Sequence, residues 1–152
     1  MTSLAARLRQ VELPHVAAPV AAYVPAVVCG DLIYTSGQLP FVDGALPATG
    51  HVGEGEGLVS PTDAAAYARQ CARNALAAAA AAVGGADKLG RVVKVTGFVA
   101  SHPQFGGQAA VLNGASQYLT ELFDSPHARS AVGVASLPLN SPVEVEVIFA
   151  LA

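Results

Sequence analysis

The sequence predicts an α+β fold: a single β-sheet with two helices on one face. Three observations carry that prediction. Short β-branched runs recur at 26–35, 91–100 and 127–151. Two longer stretches, about 61–83 and 105–123, have helical composition and spacing. The resulting order of strand, strand, helix, strand, helix, strand, strand suits helices layered on one side of one sheet. At 152 residues the chain fits one domain. It divides into an N-terminal arm or short helix over 1–20 and a domain over 21–152.

At the N-terminus, Leu4, Leu8 and Val11 stand at helical spacing, which predicts a short amphipathic helix over 3–12 closed by Pro14. Pro14 to Pro25 is rich in Pro and Ala and reads as an extended arm whose one large aromatic is Tyr23. Ala26–Cys29 and Leu32–Thr35 flank Gly30-Asp31, a two-residue hairpin signal. Ser36-Gly37-Gln38 then breaks the pattern. A glycine there marks either a bend or a close approach of backbone to another group, and the bend is the more frequent case.

Phe41 to Thr62 is a long irregular segment with an Asp43-Gly44 turn signal. Its run from His51 to Gly57 alternates glycine with other residues but is not a phosphate loop. It lacks the Lys-Ser/Thr of a P-loop, does not fit GxGxxG, and carries Glu54 and Glu56, which repel phosphate. A mobile flap or a subunit contact is the expectation. Ser60-Pro61-Thr62-Asp63 opens a helix with a capping residue and a first-turn proline, ending at Gly84-Gly85. Arg69, Arg73 and Asn74 are expected on its solvated surface. The run from Arg91 to Ala100 is apolar on both faces, as a central strand is, and His102-Pro103 ends it. In the next helix, Val111, Leu112, Ala115, Leu119 and Leu122 form one side. Asn113 sits inside it, where asparagine is unfavourable unless it is solvated or bonds something specific.

The last stretch, His127 to Ala152, reads as a β-hairpin around Pro138, Asn140, Ser141 and Pro142. Val143, Val145, Val147, Phe149 and Leu151 alternate with Glu144, Glu146, Ile148 and Ala150. Pairing Val132 with Val143 and Ser130 with Val145 keeps the apolar sets together. That register sets Arg129 opposite Glu146 and Ala131 opposite Glu144, so Arg129 and both carboxylates share one face beside the small residues Ala131 and Gly133. Such a group serves as a carboxylate-binding, water-activating site or as a solvated face with cross-strand ion pairs. Spacing alone leaves both open and favours the ion pairs, which are common and worth little.

Composition excludes several classes. The chain is 53% hydrophobic and 12% charged, with too little charge to cover a monomer's surface, which predicts an oligomer. Net charge is −3 and no Lys/Arg stripe is present, so nucleic acid is not the expected partner. Cys29 and Cys71 lie far apart with no CxxC, and the four histidines make no metal motif, so no metal is expected and both thiols are predicted buried and inert. Arg7, Arg9 and Glu12 interrupt the N-terminal apolar residues, and the run from Ala75 to Val83 is too short to span a bilayer. A soluble cytoplasmic protein with no membrane partner is the expectation.

These residues together resemble the reactive intermediate deaminase family, RidA, also called YjgF or L-PSP. The likeness covers Ala21 to the end. It rests on Ser36-Gly37-Gln38-Leu39-Pro40, Ala68-Arg69-Gln70 with Asn74, Val93-Lys94 with Phe98-Val99, Asn113, Ala128-Arg129-Ser130, Leu137-Pro138 and Val143-Glu144-Val145-Glu146. The resemblance implies a chorismate-mutase-like fold, a homotrimer, and sites in clefts between subunits. It also implies hydrolysis of enamines and imines such as 2-aminoacrylate to a keto acid and ammonia, without metal or organic cofactor. By position it makes Arg129 the clamp on the substrate carboxylate and Glu144 the group that orients or activates water. Gly37 would offer backbone groups, while Tyr23, Asn113 and Ala131 line the pocket. Ala131 stands where the better-known branch has cysteine, and the arm and the 41–62 segment are longer than usual. A divergent branch with its own substrate is therefore expected. A non-catalytic protein that binds a small carboxylate is the alternative. The endoribonuclease or translation-inhibitor label is disfavoured by the acidic balance.

Overall fold

A computed structural model describes residues 1–19 and 21–152. Val20, within the arm and at the predicted boundary, lies outside the described residues. Five strands form one sheet in the order β1-β2-β5-β3-β4, with β1 Ala26–Cys29, β2 Leu32–Thr35, β3 Leu89–Ala100, β4 Ala128–Val134 and β5 Val143–Leu151. Helices α2 (Pro61–Val83) and α3 (Gln108–Phe123) cover one face, and the short α1 (Leu4–Arg9) seats Leu8 in the core. The α+β class and the two covering helices are as the sequence predicts.

Local signals set the element ends. Ser60 caps α2 by accepting the Asp63 N–H at 3.1 Å, with Pro61 in the first turn. Alanine at 64, 68, 72, 75 and 79 gives α2 a smooth buried side. That smoothness brings α3 close: a Cβ at Gly114 would overlap the backbone carbonyl of Ala65. The first strands pair through the Gly30-Asp31 turn, Cys29 opposite Leu32. Helix α1 is shorter than the predicted 3–12, and α3 begins at Gln108 rather than Phe105, because Gly106-Gly107 precedes it with no side-chain cap.

The C-terminal hairpin is not formed. Strand β3 lies between β4 and β5, parallel to β4 and antiparallel to β5. A β4–β5 hairpin would leave one long edge of β3 without hydrogen-bond partners. Inserting β3 satisfies both edges, and α3 supplies the crossover that parallel strands need. The predicted pairs Val132–Val143, Ser130–Val145, Arg129–Glu146 and Ala131–Glu144 are replaced. Arg129 stands opposite Val95, Ala131 opposite Gly97, Glu146 opposite Thr96 and Glu144 opposite Phe98.

This register sorts the faces. Val95, Val99, Val143, Val145, Val147 and Phe149 are buried under the helices. Glu144, Glu146 and Ile148 point to the other face, with Tyr34, Val27, Phe98 and Val132 as their neighbours across the strands. That face is uncovered in the single chain: Val27, Tyr34 and Val132 are 54%, 44% and 43% exposed. Arg129 lies on the helix-covered side, so it does not share a face with the two glutamates.

Two further expectations change, those for Asn74 and Cys29. Asn74 is buried, 3% exposed, and donates to the Leu39 and Phe41 carbonyls at 2.9 and 3.1 Å. It ties the chain after β2 to α2 rather than facing solvent with Arg69 and Arg73. The glycine-rich segment is pinned at its base, where Val52 N–H donates to Ala100 O and His102 N–H to Val52 O; Glu54 to Gly57 project. Cys71 is buried, but Cys29 is exposed on β1, since the face it lies on is uncovered. Among the described residues no helix is long and apolar enough to cross a membrane.

Candidate active site

Arg129 leaves β4 toward α3 and is held there by three acceptors on one side of the helix. Its Nη1 donates to Asn113 Oδ1 at 2.9 Å and to Ser116 Oγ at 3.2 Å, and its Nη2 donates to Ala109 O at 3.3 Å. Positions 109, 113 and 116 fall on one helical stripe. Asn113 thus bonds something specific. No carboxylate pairs with Arg129; the one ion pair among the described residues joins Arg9 to Asp87 at 3.5 Å. A guanidinium has five N–H donors. Three are engaged, which leaves Nε–H and one Nη2–H on adjacent nitrogens, a pair able to grip a carboxylate with two parallel bonds. Ala131 is two residues on along the same side of β4, half-buried.

The second group forms around Glu144. Gly37 follows β2 and packs on it: a Cβ at Gly37 would overlap Glu144 Oε1 and lie 2.8 Å from Cδ. Gln38 exchanges backbone hydrogen bonds with Val145, at 2.8 and 3.0 Å, which fixes this approach. Of the two readings of Gly37, the close approach is therefore the one the structure adopts. Tyr23 shares a small pocket with Gly37, Leu39 and Phe41. Burial raises the Glu144 pKa above the ordinary glutamate value, and the charge of Glu146 adds to the rise. No hydrogen bond holds the Glu144 carboxylate among the described residues.

Within one chain the six predicted residues thus fall into two groups. Arg129, Asn113 and Ala131 lie by α3, while Glu144, Gly37 and Tyr23 lie at the end of β2 and on the open face. Two residues beside Arg129 were not foreseen. Ser116 stands three places after Asn113 on the same helical stripe. His127 stands two places before Arg129, and its Nε2 lies 3.0 Å from Ser116 Oγ. Both spacings are readable once the helix and strand are known. Burial lowers the His127 pKa, helped by the Arg129 charge, so the ring is neutral near pH 7. No cluster of three or more His, Cys, Asp or Glu side chains able to hold a metal exists among the described residues.

The family model for endoribonuclease L-PSP matches residues 14–151. The chain belongs to this family. Protein TCP17 of Trypanosoma cruzi is 40% identical over 144 residues, 93% of this chain and 88% of that protein. The 2-iminobutanoate/2-iminopropanoate deaminase of Escherichia coli is 37% identical over 131 residues, 86% and 88% of the two chains. A crystal structure of a protein of unknown function from Agrobacterium tumefaciens superposes with a TM-score of 0.84 at 42% identity, covering 98% of this chain and 92% of that one. Membership in the L-PSP family, which includes the RidA and YjgF proteins, agrees with the resemblance drawn from the sequence.

Proposed function

We propose that this protein hydrolyses small 2-imino acids, and the enamines that tautomerise to them, such as 2-aminoacrylate, to a keto acid and ammonia. The observation that carries the reading is Arg129: a guanidinium fixed by three bonds, with no carboxylate partner and two adjacent N–H groups free. The name of the E. coli relative points to the same chemistry.

In this mechanism the substrate carboxylate docks on Nε–H and Nη2–H of Arg129. With the imine nitrogen already protonated, Glu144 accepts a proton from water as the oxygen bonds to the imine carbon, and the C=N π pair moves onto nitrogen to give a neutral amine. The carbinolamine then collapses: Glu144 returns its proton to the nitrogen, the C–N bond breaks to release ammonia, and the hydroxyl proton passes to bulk water as the ketone forms. Protonated imine plus water gives ketone, ammonia and a proton, with no change of oxidation state. A carboxyl raised toward neutrality suits both directions of that transfer. The thiol of the better-known branch is replaced by Ala131. Because imines hydrolyse in water unaided, placing carboxylate, carbon and water together suffices for rate.

The two groups of side chains lie on opposite sides of the sheet, so Arg129 and Glu144 of one chain do not face the same space. A homotrimer with the site in a cleft between protomers brings Arg129 of one copy to Glu144 of the next, and packs away exposed Val27, Tyr34 and Val132. A cytoplasmic trimer is part of the same reading. The alternative, a carboxylate-binding protein without turnover, is favoured by Ala131. An endoribonuclease role has no basic stripe to support it.

Pyruvate release from enzymatically generated 2-aminoacrylate, coupled to lactate dehydrogenase, tests the reading. Arg129→Ala lowers kcat/KM about a hundredfold, through loss of two charge-assisted bonds. Arg129→Lys recovers little, because an ammonium has no planar fork. Wild-type activity in Arg129→Ala would remove the clamp. Arg129-dependent pyruvate binding without imine turnover would leave the binding-protein reading.

A further inference from the structure

Histidine 127 has no role in the chemistry above, yet it sits where polar groups are costly. Its Nδ1 is buried and has no hydrogen-bond partner among the described residues. Its one side-chain bond among the described residues runs between Nε2 and Ser116 Oγ, 3.0 Å apart. That same oxygen accepts Nη1 of Arg129 at 3.2 Å. A buried ring nitrogen without a partner is destabilising, and such a group in a folded protein calls for a reason.

We propose that His127, acting through Ser116, is a positioning residue that sets where the Arg129 guanidinium stands and so how tightly the protein binds carboxylates. The inference rests on Arg129 being the carboxylate clamp.

A serine hydroxyl carries one proton and two lone pairs, and it rotates freely unless something fixes it. Arg129 can only donate, so a lone pair of Ser116 must face it. With the imidazole accepting at Nε2, the Ser116 proton is directed away from the guanidinium. With Nε2 donating, the ring holds the oxygen in place directly. Either neutral tautomer ties Ser116 to the base of β4, the strand that also carries Arg129. Asn113 and Ala109 restrain the guanidinium from the other points of α3. Without the ring, Ser116 is free to turn its proton toward Nη1 or bond back to its own helix, and the free N–H pair shifts with the guanidinium. The charged group facing His127 is Arg129; Ser116 faces it from α3.

The test uses pyruvate as an unreactive carboxylate probe by calorimetry, alongside KM and kcat for 2-aminoacrylate, on the full chain. His127→Ala weakens pyruvate binding and raises KM about five-fold, the worth of one hydrogen bond, with kcat within two-fold. His127→Gln, whose amide reaches the Nε2 position, restores both. Ser116→Ala loses at least as much as His127→Ala, since it also removes the acceptor of Arg129 Nη1, and the double variant binds no more weakly than Ser116→Ala, since His127 acts through that one oxygen. Wild-type binding in His127→Ala, a Gln variant as weak as Ala, or additive losses in the double variant would each overturn the inference. Should His127→Ala fail to fold, the Gln variant and Ser116→Ala decide it: Gln must bind as wild type does and Ser116→Ala must not. Arg129→Ala separates the two levels. Intact pyruvate binding there overturns the clamp and this inference together. Lost binding there, with His127→Ala unaffected, overturns this inference alone.

Discussion

Substituting Gly37 by alanine should separate stability from activity in this protein. The added methyl would overlap Glu144 Oε1 and lie 2.8 Å from Cδ and 3.1 Å from Cγ. Returning Cδ to ordinary carbon contact, about 3.5–4.0 Å, moves the carboxyl carbon by roughly 1 Å. The backbone of Gly37 cannot yield as easily, because its neighbour Gln38 is bonded to Val145 in both directions. Glutamate is flexible and Glu144 is half-buried, so the fold absorbs the change for about 0.5–1.5 kcal/mol, the cost of a displaced rotamer. For a chain of this size that lowers Tm by about 2–5 °C. A catalytic carboxylate misplaced by about 1 Å loses on the order of a hundredfold in rate. The variant should therefore fold and melt nearly as wild type while kcat for 2-aminoacrylate hydrolysis collapses. Circular dichroism melts and the coupled pyruvate assay read the two quantities on one preparation. Wild-type kcat in Gly37→Ala would refute the placement of Glu144 at the reacting carbon.

Other outcomes follow from the same geometry. Burial, then Glu146, raises the Glu144 pKa. A carboxyl raised on folding favours the folded state most below its unfolded value near ~4.3, and that advantage is lost as pH rises through the folded value. Glu144→Gln should thus melt above wild type at pH 8 and converge with it toward pH 4, while turnover is lost; a lower Tm at pH 8 contradicts the assignment. Wild-type turnover should rise with pH through an inflection above the ordinary glutamate range, absent from the Gln variant's residual rate. Asn74→Ala orphans the Leu39 carbonyl and removes one of the bonds made by the Phe41 carbonyl and by the Gln70 amide, which stay bonded to each other at 3.3 Å; denaturant unfolding should show a loss of about 1–3 kcal/mol, and an unchanged midpoint would contradict it. Gly114→Ala pushes a methyl into the Ala65 carbonyl. Two backbones must part there, so a loss of about 2–4 kcal/mol is expected, and an unchanged melt would mean the helices are not that close.

Most elements of the fold are legible along the chain because their causes are local. Ser60 and Pro61 start α2 where the sequence places the start, Gly84 ends it, and Gly30-Asp31 turns the first hairpin. Alternation in 143–151 identified a strand with a greasy side, and that side is buried. The same local signals misplaced Asn74, since its partners, the carbonyls of Leu39 and Phe41, lie more than thirty positions away in the chain. They also did not reveal His127 and Ser116, whose meeting depends on α3 crossing over β4.

By itself the sequence determined which stretches are helix or strand and which family the chain belongs to. Only the tertiary structure decided who neighbours whom. Periodicity tells which side chains of a strand share a face, but not which strand lies beside it. Strand β3 has two edges to satisfy, so it displaced the hairpin that the last two strands would otherwise form. That one choice of neighbour carried Arg129 to the helices and left Glu144 on the open side, because a strand's faces are fixed relative to its partner by the ladder of hydrogen bonds between them.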